Sequence, residues 1–206
     1  MSFPESPEIL IRPARAGDSA FVADMFHLSM GKLADHLLEN AKQPVSQALQ
    51  ELIVRNTGRF GFSPAFIAER DSLPVGALVA CEGARLDWLN FSVLSHVFPA
   101  LGIIPALDFL RRGFQLPGGR EAEKDEYYIS NLGVPAAFQG QGVGSRLLTF
   151  AEQKAEQAGL KKCALLVGLY NKNALRLYQR HGYQIVETVP HPNEHFGYHR
   201  LVKKIS

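Results

Sequence analysis

The sequence predicts an α/β (α+β) fold, a mixed and mostly antiparallel central sheet with helices on both faces. Two apolar runs, 66–69 and 75–82, flank turn residues at 71–74 and are typical of an antiparallel hairpin. The C-terminal half alternates strand-like and helix-like patterns. Between these parts the apolar stretch 86–116 predicts a helical insertion before the strand that begins near Tyr127.

Each element follows from the spacing of its apolar residues and from the residues at its ends. Strands are predicted at 9–12, 66–69, 75–82, 127–134, 163–169, 183–189 and 196–204. Helices are predicted at 18–30, 46–56, 142–158 and 173–180. Asp18 is expected to cap the first helix, and Gly58 to stop the second. Pro99 and Pro105 are expected to break the insertion into two helical pieces.

Length and composition bound the kind of protein. With 206 residues, 46% of them hydrophobic, the chain has enough material for a core, and we expect one domain over 1–206 with the insertion at about 86–123. The formal charge of +2, from 22 basic and 20 acidic residues, does not indicate a nucleic-acid partner. No segment approaches the roughly twenty apolar residues of a membrane span, and no secretory leader is recognised. We therefore expect a cytoplasmic protein without a membrane partner.

The two cysteines, Cys81 and Cys163, both lie in apolar runs. They are expected to be buried thiols in a reducing compartment. No Cys/His spacing suits a metal ion, so no metal is predicted.

The loop 139–145 is the most informative segment because it follows a strand, opens a helix and carries Gly140, Gly142 and Gly144 at alternate positions. Backbone N–H groups without neighbouring side chains, at the positive end of a helix dipole, bind phosphate. The loop therefore predicts a pyrophosphate-bearing ligand. The alternative is that the glycines only make a tight turn between strand and helix.

Two other phosphate-binding motifs are excluded by the spacing. A P-loop ends in Gly-Lys-Ser/Thr, whereas Gly144 is followed by Ser145 and Arg146. A dinucleotide fingerprint has G-x-G-x-x-G and an acidic residue about twenty positions later, whereas this chain has Lys161 and Lys162 near that place. Neither a nucleoside triphosphatase nor a Rossmann domain is predicted.

A second motif spans 165–183 and reads as a buried strand, an asparagine-rich turn, a short helix and a glycine stop. The first motif carries Gln139, Gly142 and Gly144, and the second carries Asn171, Ala174, Leu177, Tyr178, Gly182 and Tyr183. In their order and in the distance between them, the two motifs resemble those of the GNAT superfamily of N-acetyltransferases.

The resemblance implies an acetyl-CoA-dependent N-acyltransferase. In that family the glycine loop wraps the pyrophosphate of acetyl-CoA, and the strand before it binds the pantetheine arm through its backbone. The strands 127–134 and 163–169 are then expected to run parallel and splay apart around that arm. The implied cofactor-binding residues are Leu132, Gly133, Val134, Gln139, Gly140, Gln141, Gly142, Val143, Gly144, Ser145, Asn171 and Tyr178.

Tyr178 is the predicted general acid, because the pKa of a phenol, about 10, is close enough to that of a thiol for a proton to pass to the leaving sulfur. The alternative is that its ring only packs in the core. Asn171 has two possible roles as well. It is expected to cap the helix that follows, and in the family this residue also binds the pantetheine amide.

The general base does not follow from the motifs. Some family members carry a glutamate where this chain has Val167, and others carry it where this chain has Tyr128. Glu126, on the same strand face as Tyr128, is the substitute candidate, although it also fits an exposed carboxylate in a charged run. The catalytic candidates are thus Tyr178, Glu126 and Tyr128.

Two alternatives need no carboxylate in that position. Tyr127, Tyr128 and Asn131 would hold a water that removes the proton, or the amine would arrive already deprotonated and need no base.

The family pattern does not explain the insertion 86–116. It is expected to pack as ordinary core, to cover an acceptor pocket as a lid, or to form a homodimer contact. As a lid, it would use Trp88, Phe91 and Phe98 to shape a partly apolar acceptor site. The tail 191–199 is a second candidate wall.

The three histidines of this tail are expected at the surface or in acceptor binding, because a proline and irregular spacing argue against a metal site. Glu194 would bind a cationic acceptor.

The first functional hypothesis is direct transfer of an acetyl group from acetyl-CoA to a primary amine on a small molecule or peptide. The second is a non-catalytic module that binds or senses acyl-CoA. The sequence identifies neither the acceptor nor the length of the acyl group.

Overall fold

A seven-stranded sheet forms the centre of the structure, in the order β1-β2-β3-β4-β5-β7-β6. The computed structural model describes residues 8–56 and 58–205. The strands are β1 Leu10–Pro13, β2 Ala65–Arg70, β3 Leu73–Glu82, β4 Tyr127–Gly133, β5 Lys162–Gly168, β6 Gln184–Val189 and β7 Tyr198–Lys204. The helices are α1 Ser19–Met30, α2 Lys32–Leu37, α3 Val45–Val54, α4 Leu86–Leu101, α5 Ile103–Gln115, α6 Val143–Gln157 and α7 Lys172–Arg180.

The predicted mixed sheet is confirmed. β4 and β5 pair in parallel over a short stretch, from Tyr127 opposite Cys163 to Ile129 opposite Leu165. Every other neighbouring pair in the described chain is antiparallel. The β2–β3 hairpin turns tightly at Asp71 and Ser72, both with positive φ, so the turn is shorter than the predicted 71–74.

Helices cover both faces of this sheet, as predicted. On one face α1, α3, α4 and α5 share a core with the alternate residues of β2 and β3. On the other face α6 and α7 pack on β3, β4, β5 and β7. The central strands β3, β4 and β5 are therefore largely buried on both sides, as their apolar residues allow, whereas most of the edge strand β6 is exposed.

The insertion forms two helices, but the break lies at Gly102 and not at the prolines. Gly102 has φ of 83° between α4 and α5. Pro99 sits inside the last turn of α4, and Pro105 lies in the first turn of α5, where its missing N–H has no helical partner to lose. The sequence prediction of two helical pieces was correct, whereas α2 was not predicted.

Asp18 precedes α1, but its carboxylate does not cap the helix. It accepts hydrogen bonds from the Arg12 guanidinium at 2.7 and 2.9 Å and from the Arg15 N–H at 2.7 Å. The prediction of a cap was wrong because the ion pair with Arg12 on β1 takes both oxygens.

None of the described helices combines the length and the hydropathy needed to cross a membrane.

The two cysteines are buried free thiols, as predicted. Burial raises the pKa of Cys81 to about 11 and that of Cys163 to about 12. Thiols with such pKa values are almost entirely protonated near neutral pH, so neither is an activated nucleophile.

Glu126 precedes β4 and is buried, with 2% of its surface exposed, so it is not the solvated carboxylate that its charged run suggests. It pairs with Arg200 of β7, which is also buried, and it accepts the Glu123 N–H at 2.7 Å. An ion pair out of contact with water depends on both partners, because removing one leaves the other charge uncompensated.

We expect Glu126→Ala to lower the free energy of unfolding by about 3–5 kcal/mol, because Arg200 then stays buried without its counter-ion. The control is Glu123→Ala, which removes a half-exposed partner of Arg120 and should change stability by no more than about 0.5 kcal/mol. Urea unfolding followed by circular dichroism measures both. Equal losses in the two variants would show that the buried pair has no special role.

Candidate active site

A cleft of about 690 Å³ opens where β4 and β5 separate. Their parallel pairing ends at Ile129 and Leu165, and the next residue, Ser130, is an extra residue of β4 opposite the step from Val79 to Ala80 on β3. A bulge of this kind bends its strand and increases the local twist. The bulge at Ser130 therefore turns β4 away from β5, which leaves the expected slot between them.

The glycine loop lies at one end of this cleft. Gly140 and Gly142 have φ of 73° and 82°, and Gly142 is the N-cap of the 15-residue helix α6. No side chain caps α6, so the first N–H groups of the helix remain free to bind a ligand. Free amides at the positive end of a long helix form an anion site, as the motif predicts.

Gly144 serves a different purpose from the other two glycines. It lies within α6, and a Cβ there would lie 3.2 Å from the Leu177 side chain of α7. The absent side chain lets α6 and α7 approach each other closely. The motif therefore combines two glycines required by backbone conformation with one required by helix packing.

The cleft is lined by all the implied cofactor-binding residues except Gln141. Gln141 instead accepts a hydrogen bond of 2.6 Å from Arg70 and donates one of 2.8 Å to the Ala137 carbonyl. Gln139 does line the cleft, and its amide donates to the Val134 carbonyl at 2.9 Å. That bond ties the end of β4 to the glycine loop.

Asn171 is the N-cap of α7, since its side chain accepts a hydrogen bond of 3.1 Å from the Ala174 N–H. This confirms the capping role, and the residue also lines the cleft. Tyr178, within α7 itself, is buried yet borders the same cleft. Its ring lies 6.2 Å from that of Tyr183, in an edge-to-face arrangement.

Burial raises the pKa of Tyr178 to about 12. The phenol is then fully protonated near neutral pH, which suits a donor. A thiol, however, has a pKa of about 8.5. Complete transfer of the proton from a phenol whose pKa is about 12 to a thiolate is therefore unfavourable by roughly 5 kcal/mol.

The candidate bases are not brought together at this cleft. Glu126 borders neither this cleft nor the adjoining one described below, and Tyr127 packs into the core on the opposite face from Tyr128. Asn131 borders both clefts and donates a hydrogen bond of 2.8 Å to Ser29 of α1. Among the described residues, no aspartate or glutamate lines the first cleft.

A second cleft, of about 820 Å³, adjoins the first. At its polar end Arg59 donates two hydrogen bonds of 2.8 Å to the Glu121 carboxylate. The Tyr128 hydroxyl donates to the same carboxylate at 2.6 Å, and Arg59 also reaches the Ser130 hydroxyl at 3.2 Å. The two clefts share the residues Ser29, Ser130, Asn131, Leu166, Gly168 and Tyr170.

This cluster is held in one protonation state. Burial alone would raise the pKa of Glu121, but attraction and hydrogen bonds from Arg59, and the bond from Tyr128, lower it below its ordinary value. Burial, and then the Glu121 charge, raise the pKa of Tyr128 well above 10. Neither group accepts a proton readily near neutral pH, so the cluster suits binding and not general-base catalysis.

The insertion packs into the core on one side and lines the second cleft on the other. The inner side of α4 and α5 packs against α3 and the sheet, while Phe91 borders the second cleft. Trp88 is outside that cleft, and Phe98 packs against the core. From the histidine tail, His195 borders the cleft and the exposed Glu194 does not.

The described residues contain no group of three or more side chains suited to a metal ion.

Three charged residues of the two clefts were not predicted from the sequence. Arg180, at the end of α7, lines the first cleft. Arg59 and Glu121 are 62 positions apart and belong to no motif, so nothing in the sequence indicated their pairing.

The sequence model of the acetyltransferase (GNAT) family matches residues 40–183. An uncharacterized N-acetyltransferase of Methanocaldococcus jannaschii is 34% identical over 77 residues, which are 37% of this chain and 31% of that protein. The chain thus aligns with less than a third of the length of this relative.

Solved structures share the fold. One, described as an acetyltransferase, superposes with a TM-score of 0.71 at 22% identity, over 96% of this chain and 100% of that one. An N-acetyltransferase from Staphylococcus aureus gives 0.67 at 23% identity, over 94% and 100%. At such identities the likeness concerns the architecture alone.

Arg180 supplies a cation to the cleft that the glycine loop also lines, whereas Arg176 of the same helix does not border that cleft. We expect Arg180→Gln to weaken coenzyme A binding by about three- to ten-fold and to reduce its salt dependence, because the side chain is exposed and screened. Arg176→Gln is the control and should leave affinity unchanged. Titration calorimetry at two salt concentrations measures both, and equal effects would contradict a direct contact.

Proposed function

Because this chain belongs to the acetyltransferase (GNAT) family, we propose that it transfers an acetyl group from acetyl-CoA to a primary amine by direct attack. The observation that carries the proposal is the uncapped N-terminus of α6, whose glycine loop opens into the cleft between β4 and β5. Tyr178 borders that same cleft, so a proton donor lies in the space where the thioester would bind.

The residues of the cleft fit an extended donor of this kind. The free amides of α6 suit a diphosphate, and Arg180 adds a positive charge at the same rim. Beyond Ile129 the edge of β4 that faces β5 has no strand partner, so its backbone is free to bind a pantetheine arm. N–H groups near Leu132 to Val134 would polarise the thioester carbonyl.

In the proposed reaction the amine nitrogen attacks the thioester carbon, and the carbon–sulfur bond then breaks. Tyr178 donates its proton to the departing sulfur. The proton lost by the nitrogen returns to the phenolate, directly or through water, so that free thiol and amide are the products. No covalent enzyme intermediate is needed, since neither Cys81 nor Cys163 borders a cleft and both have raised pKa values.

The amine is proposed to enter in its neutral form. The first cleft has no carboxylate among its described residues, and the carboxylate of the second is bound by Arg59 and Tyr128. A base is unnecessary if a small fraction of deprotonated amine is drawn from solvent. Acetyl rather than a longer acyl group is likewise part of the proposal.

Two measurements test this function separately. Titration calorimetry should detect binding of acetyl-CoA, and a thiol reagent should detect release of free CoA when a panel of amines is added. Binding without release for every amine would favour a non-catalytic acyl-CoA-binding module. Absence of binding would overturn the assignment of the glycine loop.

We expect the acid limb of the pH profile of kcat/KM to follow the pKa of the amine, because only the neutral amine attacks. Two amines whose own pKa values differ should give limbs displaced by that difference. Tyr178, with a pKa raised to about 12, stays protonated and should cause no fall in rate up to about pH 10. A limb at the same pH for both amines would instead reveal a base on the protein.

We expect Tyr178→Phe to lower kcat by about 100-fold or more, because the leaving sulfur loses its proton donor, with little change in acetyl-CoA affinity. Tyr183→Phe is the matched control, since this ring packs against Tyr178 but does not border the cleft. Stopped assays at saturating acetyl-CoA measure both. Full activity of Tyr178→Phe would remove the proposed acid.

A further inference from the structure

The second cleft meets the first at the point where β4 leaves β5. Ser130 and Asn131 from β4, Gly168 from β5 and Ser29 from α1 border both spaces. An amine at this junction would face the thioester in the first cleft, and the rest of its molecule would extend into the second. The lining of the second cleft therefore selects the acceptor.

The walls of this cleft are apolar and come largely from α1, α2, α4 and α5. Its floor is a cluster of buried aromatic rings, in which Phe60 lies 5.8 Å from Phe26 and 6.1 Å from Phe109. At the rim, Phe91 and Phe114 are 72% and 86% exposed. Exposed aromatic side chains around an apolar cleft are covered when an apolar ligand binds.

The charges of the cleft cancel. Arg59 and Glu121 are the charged side chains among its described lining residues, apart from the titratable His195, and they are bound to each other. The Tyr128 hydroxyl completes the bonds of the carboxylate. A second ammonium group on the acceptor would find no free carboxylate among the described lining residues, and a carboxylate on the acceptor would find no unpaired arginine or lysine. Placing either in an apolar cleft is costly.

We propose that the acceptor is a primary amine with an uncharged apolar body, alkyl or aromatic, which lies between α1 and the helices α4 and α5. This inference rests on the proposed acetyltransferase function and names its substrate class. It assigns the insertion a role in specificity, because α4 and α5 supply the rim and part of the floor. Polyamines and amino acids are disfavoured by the same charge argument.

The test compares three amines that share one chain and differ at its far end. Heptylamine ends in a methyl group, hexamethylenediamine in an ammonium group, and aminoheptanoate in a carboxylate. We expect kcat/KM for heptylamine to exceed that of either charged analogue by about 100-fold, since an unpaired charge must be desolvated. Equal or better use of a charged analogue would overturn the inference and leave the acetyltransferase function standing.

A variant with a matched control tests the wall itself. Phe91→Glu places a carboxylate at the rim, and it should narrow the preference for heptylamine over hexamethylenediamine by about three- to ten-fold. Trp88→Glu, on the same helix and also exposed but outside the cleft, should leave that ratio unchanged. If both variants shift the ratio equally, or neither does, α4 is not the wall that selects the acceptor.

Calorimetry with acetyl-CoA, run on the same proteins, separates the possible failures. Binding of acetyl-CoA with no CoA release for any amine overturns the proposed function, and this inference with it. Release with hexamethylenediamine or aminoheptanoate in preference to heptylamine overturns only the substrate class.

Discussion

The separation of β4 from β5 after Ile129 is the constraint on which the site depends. Parallel strands normally satisfy each other's backbone groups, and strands that diverge leave N–H and C=O groups without partners. Here the bulge at Ser130 bends β4, so one strand edge becomes available to a ligand while the other edge stays paired with β3. Both clefts meet at this point, so a single backbone irregularity brings together the proposed donor and acceptor sites.

Burial acts in the same direction on the pKa values of Tyr178 and Glu121, but the neighbours of Glu121 reverse the outcome. Burial raises the pKa of Tyr178 and so keeps the phenol protonated. It would also raise the pKa of Glu121, but Arg59 and Tyr128 reverse that effect and hold the carboxylate ionised. The result is a site with a proposed donor for the leaving sulfur and, among the described lining residues, no free carboxylate base. Chemistry at such a site depends on the protonation state of the incoming amine.

The insertion shows how one element serves stability and recognition at once. The inner side of α4 and α5 is buried against α3 and the sheet, as an apolar helix requires. The side that remains exposed borders the second cleft at Phe91 and Phe114. Core packing therefore positions the wall, and the exposed aromatic residues are a property of the cleft and not a packing defect.

Local patterns in the sequence determined most of the elements and their order, the glycine loop and the Asn171 cap, because each depends on residues a few positions apart. The family, too, follows from two such motifs, and residues 40–183 match it. Three local inferences failed, two of them because an ion-pair partner on another element intervened. Asp18 bonds to Arg12 on β1 instead of capping α1, Glu126 is buried by Arg200, and the helix break falls at Gly102.

Tertiary structure alone decided which charged groups meet in the clefts. Arg59 and Glu121 come from separate loops and pair across 62 positions, and Arg180 reaches the first cleft from the end of α7. The second cleft exists only because helices from two parts of the chain pack beside β4. Motifs report contacts between neighbours in the chain, whereas charge pairing and cavity shape arise from packing between segments that no local pattern relates.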